Sequence, residues 1–421
     1  MKKIFKISVT FVIFQLLLSS VITATAIIEI DEGSMDFSSK MGSLNDKIFD
    51  MKISLLMRLG RYPSVSTCII KNGSVVWYKG YGYSKLLLRQ KPTKDIIYPL
   101  FSISKTFTST ALMQLYDKGL FDLDDDVNDY LDFEVRNPNY PDIPITFRML
   151  LAHQSSLDKE KKRDFLPSSL LTLFWKNPDE YPYPIIKDFI TPNGKYYDPT
   201  LWENYPPGTE CNYSGWNMVL IDHLVEVLSN QKFTDYCREN IFEPLNMYNT
   251  SFHVKDLNRR QLAACYQNIG RFYFHKIAYP DSPYGIGGLK ASIEDLSHYT
   301  IAHMNGGVWN GFRILNESTV EMMQTLQYPG FSNNGNKSSM RFGLGWCIWK
   351  EYNGTNVKNL FMHGHGGGKH PAGATSMMYI NISNDWAVLF SINRGVDFYD
   401  SLAFKIYERF VETLFIKAIN F

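Results

Sequence analysis

Cysteine is scarce in this 421-residue chain. Its five residues, Cys68, Cys211, Cys237, Cys265 and Cys347, stand far apart and form no C-x-x-C pair. That spacing argues against zinc ribbons and thioredoxin-type redox sites. An odd count leaves at least one thiol outside any internal disulfide, and a chain this long folds without covalent staples, so buried single cysteines are expected. An excess of one charge is missing too: 43 basic residues against 42 acidic ones give a net charge of +1. No overall field of either sign therefore marks nucleic acid or an anionic membrane as the main partner. Internal repeats and low-complexity tracts are absent. Beyond the N-terminus no apolar run is long enough to cross a bilayer. The acid-rich stretch Asp122–Glu134 lacks the glycine that a calcium loop needs at its sixth position and carries Phe133 at its twelfth. His363, His365 and His370 lack the spacing of a helix-borne zinc site, and no carboxylate partners them in sequence. No metal and no other cofactor is expected.

What is present begins with a targeting pattern. Lys2, Lys3 and Lys6 precede an apolar run from about Ile7 to Ile22, and Ala24-Thr25-Ala26 follows as a small-residue cleavage site. This reads as a signal peptide over residues 1–26, with an uncleaved N-terminal anchor as the competing reading. Residues 27–421 are then expected to be secreted or extracytoplasmic, touching a membrane only if the anchor is retained. The composition, 45% hydrophobic and 20% charged, is that of a globular protein.

The pattern along the chain predicts strands at both ends and helices between. Helical spacing runs from Leu44 to Met57. Asn72-Gly73 separates two β-rich runs, Ser66–Lys71 and Ser74–Tyr78, which is a strong hairpin signal. Ser102 is read as opening a helix whose apolar stripe is Phe107, Ala111 and Leu115, ended by Gly119. From about 121 to 266 helical patterns alternate with Pro/Tyr-rich loops. One of these, Lys159–Tyr205, is rich in Trp and Tyr and could wall a pocket as readily as fill space between two regions. A helix is expected over Ile293–Asn305. Strand-like runs return at Gly343–Trp349, Leu360–His365, Thr375–Ile380 and Trp386–Ile392, before a last helix from about Tyr399 to Phe415. The fold expected is α+β: an antiparallel sheet built from both chain ends, flanked by helices, with an inserted and mostly helical region over 121–266.

Chemistry concentrates at Ser102-Ile103-Ser104-Lys105. Positions i and i+3 share a helical face, so the Lys105 amine can reach the Ser102 hydroxyl and take its proton. A helix N-terminus beneath Ser102 favours the negative charge that develops in acyl transfer. On its own such a tetrapeptide is also what a solvated helix face looks like. Two later elements add to it. Tyr213, in Pro206-Pro207-Gly208-Thr209-Glu210-Cys211-Asn212-Tyr213-Ser214-Gly215, could act as phenolate or proton relay, since a nearby ammonium lowers a phenol's pKa. Gly364-His365-Gly366-Gly367-Gly368 follows a predicted strand, and its glycines would let a substrate approach a free main-chain N–H, unless it is only a flexible turn.

In this order the three elements resemble the serine β-lactamase-like and penicillin-binding-protein family. The likeness is to the branch with class C β-lactamases, D-alanyl-D-alanine carboxypeptidases, D-aminopeptidases and esterases. Further segments are similar to the family's patterns: Gly119-Leu120-Phe121-Asp122-Leu123-Asp124-Asp125, Ile145 to Leu157, Ile241-Phe242-Glu243-Pro244-Leu245-Asn246-Met247, Gly287-Gly288-Leu289 before Glu294-Asp295-Leu296, and Phe342-Gly343-Leu344-Gly345-Trp346. The likeness covers roughly residues 45 to 415. It implies an acyl-enzyme mechanism in which Ser102 attacks, Lys105 and Tyr213 handle its proton, and the Ser102 and Gly368 amides hold the oxyanion. His365 and Gly367 would line the substrate site. The implied substrate is a small molecule or peptide carrying an ester, an amide or a β-lactam-like bond. Two departures stand out. Gly215 replaces an Asn frequent in the family and His365 replaces a Lys, and both place small esters and D-amino-acid peptides ahead of β-lactams. The alternative is an inactive peptide- or wall-binding protein of the same fold.

Overall fold

The computed structural model describes residues 35–157, 186–269, 272–275, 284–328, 341–352, 354, 356–368 and 372–421. The N-terminal targeting segment, His370 and most of the Trp/Tyr-rich loop lie outside the described residues. The chain divides into two compact units, Met1–Lys52 and Ile53–Phe421. The described part of the first is the opening of a helix, α1 (Met35–Gly60). Everything below concerns the second.

In chain order it contains β1 (Ser64–Lys71), β2 (Ser74–Gly82), β3 (Ile97–Pro99), α2 (Ser104–Asp117) and α3 (Gly215–Ser229). Then follow β4 (Thr250–Ser251), the hairpin β5 (Tyr266–Ile269) and β6 (Phe272–His275), β7 (Lys290–Ser292) and α4 (Ile293–Met304). After a small hairpin of β8 (Val308–Trp309) and β9 (Phe312–Arg313) come β10 (Arg341–Phe342), β11 (Cys347–Tyr352), β12 (Leu360–Gly367), β13 (Thr375–Asn381), β14 (Trp386–Ile392) and α5 (Ser401–Ile419). Seven strands form one antiparallel sheet in the order β10-β11-β12-β13-β14-β1-β2. The sheet is therefore built from both chain ends, as the strand pattern predicts, with β1 pairing β14 from Val65 opposite Ile392 to Lys71 opposite Trp386.

Burial explains the composition of the central strands. Every residue of β13 and β14 is buried, and so is all of β1 except Lys71, because α4 packs on one face of the sheet and α5 on the other. Strands buried on both faces read as near-continuous apolar runs rather than alternating ones. Asn72 and Gly73 at the β1–β2 turn both have positive φ, +50° and +66°, the pair of left-handed residues that a two-residue hairpin turn requires. On the α5 face aromatic rings fill the space: Phe390 meets Phe410 at 5.3 Å and Tyr379 meets Phe415 at 5.2 Å between centroids.

Three sequence expectations change. The run Gly343–Trp349 is not one strand. β10 ends at Phe342 and β11 begins at Cys347, with Gly343 N–H donating to the Trp346 carbonyl (2.9 Å) across the turn between them. The apolar residues of that turn, Leu344 and Trp346, reach the core from a bend, which hydrophobicity alone cannot tell from a strand. Second, α2 starts at Ser104, two residues after Ser102, and is buried all round from Ser104 to Leu115 rather than along one stripe. Its threonine hydroxyls are tolerated there because each finds a partner. Thr106 donates to the Ile103 carbonyl (2.9 Å), Thr108 to Asp222 (3.1 Å), and Thr110 lies 3.0 Å from the Tyr299 hydroxyl. Third, residues 121–266 hold one long helix, α3, among the described residues. The rest is mainly loops and short turns such as Phe147–Leu151 and Phe233–Cys237.

Behind α2, His303 is buried beside Thr110, Tyr299 and Trp346, with Nε2 3.1 Å from the Thr110 hydroxyl. Burial holds its pKa down to about 3 from the ordinary 6.5. The unfolded chain therefore binds a proton between those values that the folded chain refuses. The contribution of His303 to stability is whole above about pH 6.5 and is lost as the pH falls towards 3. Urea midpoints measured between pH 7 and 4.5 should drop less for His303→Gln than for the native chain, relative to each protein's own value at pH 7. Equal drops would show that this imidazole does not carry the acid sensitivity.

Candidate active site

Ser102 occupies the corner between β3 and α2. Phe101, just before it, has a φ of +49°, in the left-handed region that bulky residues avoid, and Phe101–Ile103 form a single 3-10 turn. The corner is fastened on three sides. Leu100 N–H donates to the Leu289 carbonyl (2.9 Å), Leu289 N–H donates to Ser104 Oγ (3.0 Å), and Ser376 Oγ of β13 donates to the Pro99 carbonyl (2.9 Å). Strain at one residue persists where its surroundings over-determine it, as they do here.

Lys105, one turn further on, is only 1% exposed. Its Nζ lies 3.2 Å from Ser102 Oγ and 2.5 Å from the carbonyl oxygen of Ile286. The sequence-predicted pair is thus in contact. Tyr213 joins them, with the Lys105 amine 5.1 Å from the centre of its ring. Its phenol differs from expectation: burial pushes the pKa up, the Cys347 thiol adds to the rise, and a hydrogen bond with Ser102 opposes it. Desolvation outweighs any help from the amine, which sits over the ring face. The phenolate role is corrected on that ground: Tyr213 rests as the neutral phenol, a proton donor or relay.

His365 lies on β12 with its ring centre 6.0 Å from that of Tyr213. Its Nδ1 is 2.9 Å from the Gly366 carbonyl, an acceptor only, so Nδ1 carries a proton. The glycines after it bring the strand against the nucleophile corner. A Cβ on Gly367 would stand 2.5 Å from the Ser102 nitrogen and 2.6 Å from the Leu100 oxygen, so only glycine admits this approach. Gly368, at φ +78°, bends the chain away past the Phe101 ring. The structure thus gathers Ser102, Lys105, Tyr213, His365 and Gly367, with Gly368 at the rim.

Gly215, the first residue of α3, is also at the site, and the space above it is taken. A Cβ there would meet the Ile286 side chain at 3.1–3.3 Å. Where a residue with a side chain would stand, Ile286 supplies an apolar one, while its carbonyl holds Lys105.

Sequence reasoning missed the residues that hold these groups. Asp222, fully buried on α3, accepts from Thr108 Oγ1 of α2 and from Gly285 N–H (2.8 Å), which fixes the Tyr284–Gly288 turn carrying Ile286. His153 packs edge-on to Phe342 at 4.8 Å and against Tyr213 at 4.7 Å, and its Nδ1 takes the Ser214 N–H at 3.3 Å. It lies within the stretch Ile145 to Leu157 that resembles the family's pattern, and that is the one signal that could have found it. Nothing local marks Asp222 or Ile286.

Because the Gly367 approach leaves no room for a methyl group, Gly367→Ala should move β12 off the corner. The rate of covalent labelling by a serine-directed fluorophosphonate should then fall about 100-fold or more, as expected when a reacting geometry is lost. A far-UV spectrum and urea midpoint close to native would separate this from unfolding. Unchanged labelling would show that the glycine is not needed there.

Comparison with known proteins agrees with this arrangement. A family profile described as Beta-lactamase matches residues 49–406. Protein flp of Staphylococcus aureus (strain N315) is 28% identical over 196 residues, 47% of this chain and 36% of that protein, so the chain spans about a third of the length of this relative. Among solved structures, the octameric penicillin-binding protein homologue from Pyrococcus abyssi superposes with a TM-score of 0.64 at 22% identity, covering 88% of this chain and 77% of that one. The D-amino acid amidase from Ochrobactrum anthropi SV3, complexed with L-phenylalanine amide, gives 0.66 at 20% identity over 88% and 99%. At such identities the superpositions establish the shared fold, and the match to the profile over most of the chain establishes the family: the chain belongs to the beta-lactamase family of serine hydrolases.

Proposed function

We propose that this chain is an exported serine hydrolase that cleaves an ester or amide through an acyl-Ser102 intermediate. The observation that carries the reading is the buried Lys105 amine 3.2 Å from Ser102 Oγ. A neutral amine there donates to the Ile286 carbonyl and accepts the Ser102 proton as Oγ attacks the scissile carbonyl. The developing oxyanion is stabilised by main-chain N–H groups at Ser102 and Gly368. The proton taken by Lys105 passes through Tyr213, which burial keeps protonated, to the departing alkoxide or amine. Water then attacks the acyl carbon, gives a proton back through the same pair, and Ser102 leaves with its proton restored. His365 orients the substrate from β12.

Three features rank the substrates. Ile286 over Gly215 makes an apolar wall where an amide side chain would otherwise read the substrate. His365 stands where a permanent cation would attract a carboxylate. The fold is shared with a D-amino acid amidase. Small esters and D-amino-acid amides or peptides are therefore placed before β-lactams. The basic, apolar and small-residue pattern of residues 1–26 supports export.

Intact-protein mass spectrometry after exposure to a fluorophosphonate, and separately to a penicillin, should give an adduct that Ser102→Ala abolishes. Ser102→Ala and Lys105→Ala should each lower turnover of a p-nitrophenyl ester by at least about 10³-fold, as removal of a nucleophile or its base does, and His365→Ala by less. Near-native turnover by the Ser102 variant would overturn the mechanism. Binding without turnover or adduct in the native chain would favour a peptide-binding role for the same pocket.

Substrate choice can be read from one wall. Gly215→Asn combined with Ile286→Ala should shift the ratio of kcat/KM for a chromogenic cephalosporin over that for the ester upward by about tenfold, a difference of about 1.4 kcal/mol. No shift would show that the apolar wall does not decide between these substrates.

A further inference from the structure

A net charge of +1 conceals a local concentration. From Lys85 to Lys94 the chain reads Lys-Leu-Leu-Leu-Arg-Gln-Lys-Pro-Thr-Lys, with four cations and no acid. This segment leaves the seven-stranded sheet after β2 and leads to β3, which pairs with β7 in a separate small sheet. Its tip carries Leu87, 94% exposed, and Leu88, 70% exposed, two large apolar side chains presented together to water. A frayed loop would present such residues only fleetingly, but this one is braced. Ser84 N–H donates to the Gln90 carbonyl (2.8 Å), Gln90 N–H to the Lys85 carbonyl (3.2 Å) and Arg89 N–H to the Leu86 carbonyl (3.2 Å). Leu86 N–H is held by the Tyr266 hydroxyl at 2.8 Å.

A second segment adds charge to the same place. Lys85 Nζ donates to the carbonyls of Arg259 (3.2 Å) and Arg260 (2.9 Å), and Gln90 Nε2 also reaches Arg260 (3.1 Å). The side chains of Arg259 and Arg260 are exposed, as are those of Arg89, Lys91 and Lys94. Lys94 shares its charge with Glu294 in a salt bridge, and Arg89 lies over the Tyr83 ring at 5.6 Å. The acids nearest in sequence are Asp95, which follows Lys94, and Asp256, whose carboxylate accepts from Ser251 at 3.0 Å. The result is a rigid apolar tip ringed by cations from two segments.

We propose that the Lys85–Lys94 tip, with Arg259 and Arg260, docks on an anionic lipid bilayer. Leu87 and Leu88 enter the headgroup–acyl boundary, and the surrounding guanidinium and ammonium groups pair with lipid phosphates. The pattern matches that chemistry better than a protein partner. Two protruding leucines make a point rather than a patch, far short of the roughly 1,000 Å² that a stable protein interface needs. Apolar tips ringed by cations, in contrast, combine the two forces that hold peripheral proteins to membranes. The inference stands apart from the proposed hydrolysis, because no residue in it belongs to the site around Ser102.

The test uses the full chain carrying Leu88→Trp, mixed with vesicles of phosphatidylcholine alone or with added phosphatidylserine, each with and without brominated acyl chains. Reading the loop itself keeps the result independent of any attachment through the N-terminal segment. With anionic vesicles at low salt, the fluorescence added by Leu88→Trp should shift to shorter wavelength and be quenched by the brominated lipid. Raising the salt, or adding Arg259→Glu and Arg260→Glu, should weaken both effects about tenfold. Leu87→Asp with Leu88→Asp should lower the bound fraction where the N-terminal segment is cleaved, with ester turnover unchanged to show intact folding. An added fluorescence that stays exposed and unquenched while the chain co-sediments with vesicles would overturn the proposal. So would equal quenching by neutral vesicles, or a dimer that dissociates only on Leu87→Asp with Leu88→Asp.

Discussion

A lysine side chain almost without solvent is costly to bury unless its nitrogen finds acceptors, and the site is arranged around meeting that need for Lys105. Ser102 Oγ and the Ile286 carbonyl face the amine directly. The carbonyl is where it is because Gly285 N–H is held by Asp222, and Asp222 is held in turn by Thr108, one turn of α2 beyond Lys105. Three segments far apart in sequence, at 102–108, 222 and 285–286, thus close a ring around one amine. A change in any of them would reach the reacting pair through a single hydrogen bond. The polar residues on the buried helix α2 follow from the same constraint. They are the ties by which a central helix is fixed in rotation, and that rotation aims Lys105 at Ser102.

The sheet adds the fourth side. Its strands come from both chain ends, so β12 and β13, late in the chain, pass beside the corner that follows β3. Contact is close because the strand ends in glycines: Gly367 sits against the Ser102 nitrogen and the Leu100 oxygen, and Ser376 on the next strand donates to Pro99. The left-handed Phe101 is the local cost of turning from strand to helix within four residues, and these contacts oppose its relaxation. Fold and site are therefore not separable here. The antiparallel pairing of β1 with β14 is what brings residues 365–368 to residues 101–105.

Much of this was legible in the sequence, and the limits have physical causes. The hairpin at Asn72-Gly73 and the strand Trp386–Ile392 were readable because turn chemistry and burial on both faces leave local marks. Ser102 and Lys105 were readable because their relation is local, three residues on one turn. Gly367 and His365 were readable as a motif, although the reason for the glycine, a Cβ clash with another segment, was not. The turn at Gly343–Trp346 was misread because a bend that buries Leu344 and Trp346 has the same apolar pattern as a strand. Asp222, Ile286 and His153 act through contacts across about 60 to 190 positions, with no periodicity or turn signature to announce them. The protonation of Tyr213 was misjudged for a related reason. An ammonium nearby can be inferred from sequence, whereas the desolvation that outweighs it arises only once Phe342, His153 and the rest of the wall are assembled.

That reversal bears on how the two proton carriers divide their work. If the phenol were the base, burial would oppose it, since desolvation disfavours the phenolate. For an amine the sign is opposite: burial favours its neutral form, the form with a lone pair to accept the serine proton. In the proposed mechanism Lys105 is accordingly the acceptor and Tyr213, whose phenol burial keeps protonated, the donor. Nucleophile activation and leaving-group protonation need that pairing in the proposed mechanism. The Ile286 side chain above Gly215 fills with hydrocarbon the space that a polar side chain at 215 would enter. The replacement of an amide by glycine plus isoleucine then becomes a second way of meeting one electrostatic requirement: a dry wall takes over where a hydrogen bond would otherwise act.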